Sequence, residues 1–592
     1  MIDLFTDSDL FRVIDEYTDL RNLCDTCSLL SAFKQYITYK LNNNYSFMYY
    51  DDISFRQRVL NKICNPSKQL HLDLSDCDEI TDVSALGNVY VLNLSNCKNI
   101  TDVSALRNVH TLNLSDCDEI TDVSALGNVH TLILCDCINI TDVSALGNVY
   151  DLDLSDCTNI TDVSVLSIVH TLNLSGCDNI VDVSMLGNVH SLNLSRCDNI
   201  VDVSMLGNVH SLNLSQWDIK DVSKLRNVYS LVLRGCDKIT DVSALRNVHT
   251  LNLSECEGIT DVSALGNVRW LNLSGCNNIK DVSALGNVHI LDLSNCKNIT
   301  DVSALGNVRK LYLEDCTNIT DVSALINVHT LNLGGCYKIM DVSALTNVHT
   351  LELWDCNFIT DVSALGNVHT LNLSGCQITD VSALGNVHTL NLSGCQITDV
   401  SALGNVHSLN LHGCSLISDV SALGNVYDLD LSYCKNITDV SALRNVHTLN
   451  LIRCKNITDV SALKNVHTLN LSFCDNIVDV NALGNVYDLN LSYCKNITDV
   501  SALGNVHTLE LPSHLCTDDM CDKCNAKKCR NPPEFKKFYK CEMCKDMCCI
   551  NCMYLACSAC NKEFACFWCG TMFVNNNNIE NKLTLKCRDC SE

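Results

Sequence analysis

The chain reads as an α/β solenoid in which short parallel strands stack coil upon coil. The unit VHTLNLSGCDNITDVSALGN recurs from about Gln69 to Leu511, normally every 20 residues. Its first half alternates apolar and polar residues, as a half-buried strand does, and the alternation then stops. Proline is absent from the whole block, while Pro66 and Pro512 flank it. One unit this short cannot bury its own apolar face, but stacked neighbours share a continuous core and pair their strands in parallel.

Cysteine positions from Cys77 to Cys494 count 22 units, with Trp217 once in the cysteine's place; the spacings that reach Cys236, Cys395 and Cys414 are 19 residues. In TLNLSGC both leucines and the cysteine are expected to point inward, with the residues between them facing out. A turn follows, and then TDVSAL. Its Thr and Asp can accept hydrogen bonds from nearby backbone N–H groups, which favours a short helical turn that returns Val and Leu to the core. At about 4.8 Å per strand, the array makes an arc on the order of 100 Å with a long concave face.

The pattern LxLxxC is that of a leucine-rich-repeat strand, so the solenoid is expected to be a leucine-rich-repeat horseshoe. Two groups of such repeats resemble it: the cysteine-containing repeats of F-box adaptors, through LxLSxCxxIT, and internalin-type bacterial repeats, through ITDVSAL. The array beside its N-terminal segment also resembles repeat proteins of giant amoeba-infecting viruses. Leucine-rich repeats serve many protein ligands, so the resemblance implies a fold and a general recognition role.

Charge and cysteine usage narrow the setting. Lys and Arg number 41 against 68 Asp and Glu, a net charge of −27 that repels a phosphate backbone. The opening MIDLFTDSDLFRVIDEYTD has neither the basic nor the apolar region of a secretory signal, and no apolar run reaches membrane-spanning length. Most of the 40 cysteines recur once per unit, as a structural column would. NLS and NIT tripeptides, such as Asn93-Leu94-Ser95 and Asn99-Ile100-Thr101, would crowd glycans along a secreted solenoid. A reducing, intracellular and cytoplasmic location is therefore expected, in a host cytoplasm if the chain is viral.

Each repeated column has a structural reading. One inward thiol per coil lacks the further ligands of a four-coordinate metal site, so the cysteines read as buried packing. Fifteen of 18 histidines form a second column from His110 to His507, broken by residues such as Tyr90, Tyr150, Arg269 and Arg309. It reads as a stacked, partly exposed ladder in which simultaneous protonation would be repulsive. The Asp of each DV reads as a turn former. Departures from the column pattern are more informative, and between 269 and 354 the outward strand positions become Arg269, Trp270, Ile290, Arg309, Lys310, Tyr312, Glu314 and Trp354. Trp, Tyr and Arg dominate interface energies, so these side chains form the expected partner-binding patch for a protein ligand on the concave face.

Two segments flank the solenoid at 67–511. Residues 1–66 carry helical spacing at Leu10, Phe11, Ile14 and Tyr17, then Leu20, Leu23, Cys24, Cys27 and Leu30, with Ser8 and Thr18 as caps. A second helical stretch, DDISFRQRVLNKI, leads into the repeats, and together they can cap the first coil. Leu10, Phe11, Ile14, Asp19-Leu20 and LCDTCSLL resemble a degenerate F-box, although the usual leading Leu-Pro is missing. That resemblance implies binding to the linker subunit of a cullin-type ubiquitin ligase.

Residues 512–592 hold 15 cysteines, with 12 Lys and Arg against 10 Asp and Glu. CxxC pairs begin at Cys521, Cys541, Cys549, Cys557, Cys566 and Cys587, the spacing of four-cysteine zinc sites, with two or three structural ions expected. The stretch KCEMC to ACFWCG resembles the last zinc module of RING-between-RING ubiquitin ligases. By that resemblance one zinc takes Cys541, Cys544, Cys557 and Cys560, and another takes Cys566, Cys569, Cys587 and Cys590. Cys516, Cys521, Cys524 and Cys529 can hold a third, and pairing of Cys521 and Cys524 with Cys541 and Cys544 is an alternative. The same resemblance sets Cys552 at the ubiquitin-accepting nucleophile. No histidine follows His514 to activate a thiol there, and FACFWC has one residue too many before its cysteine pair. The leading expectation is a substrate-binding adaptor in a ubiquitin-linked assembly. A ligase using Cys552 and a scaffold without ubiquitin chemistry are the alternatives.

Overall fold

In the computed structural model the described residues are 38–41, 43–63 and 65–520, with short strand segments at 527–529, 538–540, 547–549, 563–565, 572–574 and 586–587. The chain divides into two units, Met1–Tyr312 and Leu313–Glu592. The helical and F-box readings at Leu10, Phe11, Ile14 and Asp19-Leu20 lie outside the described residues.

In the first unit, strand β1 (Tyr39–Lys40) pairs in parallel with β2 (Leu70–Asp73), and further parallel strands follow at each coil as far as Lys310–Tyr312. Helices α1 (Asn43–Asp51) and α2 (Ile53–Lys62) lie between β1 and β2. Asp52 caps α2 by accepting from the Ser54 and Phe55 amides, and Arg56 donates to the last turn of α1 through the Tyr50 carbonyl at 3.0 Å. Tyr49 of α1 is buried, and the Ser46 hydroxyl accepts the Asp73 amide at 3.0 Å. A side chain thus satisfies a backbone donor at the solenoid's first edge.

The coil built around Thr111–Asn113 shows the framework. Val109, Leu112, Leu114, Cys117, Ile120, Val123 and Leu126 are all at most 1% exposed. Both leucines and the cysteine point inward as the alternation predicts, and Ile120 and Val109 join them. Ser124–Leu126 forms a single 3₁₀ turn, which returns Leu126 to the core. Successive strands keep a register of one repeat, as in Thr111 opposite Thr131, so every column runs along the solenoid. At the shortened repeat the register absorbs the lost residue, with Ser211 opposite Ser230.

The second unit repeats this arrangement from Thr330–Asn332 to Thr508–Glu510. Its two other shortened repeats behave alike, with Thr370 opposite Thr389 and Thr389 opposite Ser408. After Ser513–Leu515 the described segments are two-stranded pairings, of Cys516–Met520 with Lys527–Cys529 and of Phe538–Lys540 with Met547–Cys549, then three strands at Glu563–Ala565, Met572–Val574 and Lys586–Cys587.

Candidate recognition site

The cysteine column supplies donors to the core. Cys117 Sγ donates to the Leu94 carbonyl of the preceding coil at 3.2 Å, and Cys454 does the same to Leu431 at 3.1 Å. Leu94 already accepts the Cys97 amide, so the thiol fills the second lone pair of a buried oxygen. Burial pushes the Cys97 and Cys474 thiols up to about 12, which leaves them protonated and unreactive. Trp217 reaches the same end differently, its indole N–H donating to the Cys197 carbonyl.

The aspartate column caps the 3₁₀ turns. Asp122 accepts the Ser124 amide at 2.9 Å and Asp459 accepts that of Ser461 at 2.8 Å, bonds that hold both carboxyls below the usual range. The Asn of NIT also bridges coils, as where Asn139 donates to the Asp118 carbonyl at 2.8 Å. The histidine column is a ring ladder. In the first unit it runs from Tyr90 to His249 with ring centroids 4.4–4.9 Å apart, and in the second from His329 to His507 at 4.5–4.9 Å. Burial, and then the neighbouring His130, lower the pKa of His110.

The departures lie on this frame. In the first unit Trp270, Ile290 and Lys310 stand opposite one another in register. Arg269 and Arg309 interrupt the ring ladder on either side of His289, their amides donating to the His249 and His289 carbonyls. Both arginines and Lys310 are exposed, Trp270 is half-buried, and Tyr312 stands opposite Asp292. Trp354 belongs to the second unit, where its half-buried indole lies so close over Gly334 that a Cβ there would collide with it. Glu314 accepts from Asn332 at 3.2 Å.

Two further surfaces escaped the column reading. Val165, Ile168, Val181, Met185, Val201 and Met205 form an exposed aliphatic strip over three adjacent coils, with Val201 88% exposed. Its signal is the replacement of Thr by Val and of Ala by Met or Val in the repeat. The second is the residue before each column cysteine, which lies at positive φ throughout. Seven coils place Gly there and eight place Asp or Asn, residues that tolerate the left-handed region. Gly176 shows why small size also matters: its φ is +71°, and a Cβ there would strike Asp156, whose carboxylate reaches across it to Arg196 at 3.0 Å. Tyr433, Arg453, Phe473 and Tyr493 hold the same conformation in four consecutive coils at φ 59° to 63°.

Of the expected zinc ligands, Cys521, Cys524, Cys541, Cys544, Cys557, Cys560, Cys566, Cys569 and Cys590 lie outside the described residues, as does Cys552. Cys516, Cys529 and Cys587 sit on strands, with Cys516 opposite Cys529. Among the described residues, Cys135, Asp136 and Asp156 bring ligand atoms within 4.8 Å of one another. The Cys135 thiol there donates to the Asp136 carboxylate, and burial pushes it up to about 11. No described helix is long and apolar enough to cross a membrane.

Residues 366–405 match the description "Leucine Rich repeats (2 copies)" and residues 105–126 match "Leucine Rich repeat". None of the curated proteins matches the chain. Among solved structures, the functional domain of InlJ from Listeria monocytogenes, described as including a cysteine ladder, is 23% identical over 55% of this chain and 74% of its own, with a TM-score of 0.37. A leucine-rich-repeat protein of Leptospira interrogans is 20% identical over 66% of this chain and 91% of its own, at 0.31. TLR13 in its complex with ssRNA13 is 16% identical over 77% of this chain and 93% of its own, at 0.49. The inward leucine columns, the parallel strands of successive coils and the matched segments lead to one conclusion: the chain carries leucine-rich repeats, stacked as a solenoid of parallel strands.

Proposed function

We propose that the protein is a recognition scaffold that holds protein ligands on the outward strand face of its coils. The observation that carries this reading is the row Trp270, Ile290 and Lys310, aligned strand to strand and bordered by Arg269 and Arg309. Elsewhere the Trp270 row carries mostly Thr and Ser, and the row of the two arginines carries mostly His. An aromatic anchor beside guanidinium groups is the composition of an interface centre. Affinity capture from cell extract by the full chain, compared with Trp270→Ala plus Tyr312→Ala, tests it. Loss of a captured protein by the variant at unchanged melting temperature supports the reading, and identical capture contradicts it.

A more specific role, as the substrate-binding adaptor of a ubiquitin-linked assembly, rests on the F-box resemblance of Leu10 to Leu30 and on the RING-between-RING resemblance of the tail. Co-purification with a cullin-ligase linker subunit supports it, whereas a reducible ubiquitin adduct lost in Cys552→Ser supports a ligase. Zinc in the tail is supported by where the CxxC pairs fall in the sequence. In sequence, Cys521 and Cys524 fall between the paired segments 516–520 and 527–529, Cys541 and Cys544 between 538–540 and 547–549, and Cys566 and Cys569 between 563–565 and 572–574. Paired thiolates at CxxC spacing are the donor set of a four-cysteine zinc site. Metal analysis finding fewer than two zinc ions per chain contradicts the assignment.

A further inference from the structure

We propose that the turn row at Tyr433, Arg453, Phe473 and Tyr493 is a second binding surface, for an acidic polypeptide segment. The four side chains, with His412, form one continuous stack. The His412 and Tyr433 rings are 4.9 Å apart, the Arg453 guanidinium lies 5.2 Å from the Tyr433 ring centre and 4.7 Å from that of Phe473, and Phe473 and Tyr493 stack at 4.3 Å and 9°.

The backbone gives the first reason to read this row as functional. Each of the four sits at positive φ, where a bulky L-residue is strained and where most other coils carry Gly, Asp or Asn. Packing of the core does not ask for large residues here, since Gly394 and Gly413 serve the same turn in nearby coils. Arg196, Gln216 and Glu255 hold the same φ in other coils, but only here do four consecutive coils carry large side chains that stack on one another, and backbone strain held over such a run is a feature of binding sites.

Charge and ring geometry identify the partner. Lys435, Lys455 and Lys495 stand two residues beyond Tyr433, Arg453 and Tyr493, across the buried cysteines, and all three are exposed. Only Asp475 opposes them in that row, 3.6 Å from Lys455. Among the described residues no carboxylate or carbonyl accepts from the Arg453 guanidinium, and its Nε is buried without a partner. In a chain of net charge −27 this is a local cationic surface. Ring faces are spent on one another and on the guanidinium, so the stack presents ring edges outward. Edges carry the positive part of the aromatic quadrupole and favour carboxylates. A single-stranded nucleic acid would instead need free faces for its bases, and in this stack only the two end rings, His412 and Tyr493, have one. The geometry therefore selects carboxylates on an extended chain.

Fluorescence anisotropy on the full-length protein tests this with two labelled probes, a short peptide of alternating Glu and Tyr and a mixed-sequence single-stranded RNA. Tyr433→Asn, Arg453→Asn and Phe473→Asn combined keep a residue that other coils use at this φ. The peptide is expected to bind the wild type in a salt-sensitive manner and the triple variant about tenfold more weakly, with no fall in melting temperature. Lys435→Gln plus Lys455→Gln plus Lys495→Gln leaves the stack and the strained turns intact, and is expected to weaken the peptide and flatten its salt dependence. Failure of the wild type to bind the peptide, wild-type affinity retained by both variants, or RNA bound in preference to peptide would each overturn the proposal.

Discussion

The turns at Asp116, Asp136 and Asp156 and those at Tyr433, Arg453, Phe473 and Tyr493 occupy the same place in the coil with the same left-handed backbone. In the first set the residue suits the conformation, and its carboxylate makes single polar contacts, Asp136 accepting from the adjacent Cys135 thiol and Asp156 reaching over one coil to Arg196. In the second the residues resist the conformation and stack on one another across coils. Beneath both lie the same buried leucines and the same thiol-to-carbonyl bonds. A repeat frame therefore fixes backbone geometry and leaves outward positions to diverge, so a side chain that contradicts its backbone marks where something beyond stability is at work.

The shared frame is the first thing to break. Leu132→Ala and Leu451→Ala each empty a fully buried site, and both are expected to cost about 2–5 kcal/mol in urea denaturation. A large loss at one and none at the other would show that the two regions are not built on equivalent cores. Exchanging the turns comes next. Asp136→Phe puts a bulky residue at φ 56° without stacking neighbours and is expected to cost about 1–2 kcal/mol. Phe473→Asn relieves the same strain and is expected to stay within about 1 kcal/mol of wild type. Equal losses at both positions would remove the argument from strain. A smaller effect is expected at the thiols. Cys157→Ala and Cys454→Ala each remove one buried donor and should cost about 1 kcal/mol apiece, and alkylating reagent should leave both native thiols unmodified.

Much of this frame is legible in the sequence because periodicity repeats each environment many times. Leu112 and Leu114 show their inward direction by alternation, Cys117 by falling once per coil, and Asp122 by preceding a helical turn. What escapes is the backbone state of a position whose identity varies. Gly413 and Tyr433 both precede a column cysteine, but only φ shows that the position is left-handed and that Tyr433 is held there against its preference. The aliphatic strip at Val181 to Met205 is similar, because a Val for Thr reads as drift until its exposure is seen. Of the predicted patch, Arg269, Trp270, Arg309, Lys310 and Tyr312 fall on one unit's strand face, while Trp354 belongs to the other unit and covers Gly334. The strand pattern gives outward direction but not which way a side chain then folds.

Acid sharpens the comparison most gently. Burial lowers the pKa of His110 from 6.5, and the same cause lowers those of His190 and His388. The unfolded chain therefore binds protons at these sites more readily than the folded one, and stability falls as pH drops through 6.5. The Asp caps have carboxyl pKa values below 3.8 in the folded chain, so their contribution is lost only at lower pH, as their carboxylates are protonated. A melting temperature unchanged from neutral to mildly acidic buffer would contradict the histidine part.

The central claim, that the coils share one frame and differ in what their turns bind, meets its most direct test in hydrogen exchange of the full chain with and without the Glu-Tyr peptide. The account predicts slowed exchange at the amides of residues 433–435, 453–455, 473–475 and 493–495, with none at 116–118, 136–138 and 156–158. Slowing spread equally over both sets, or confined to the first, would contradict it.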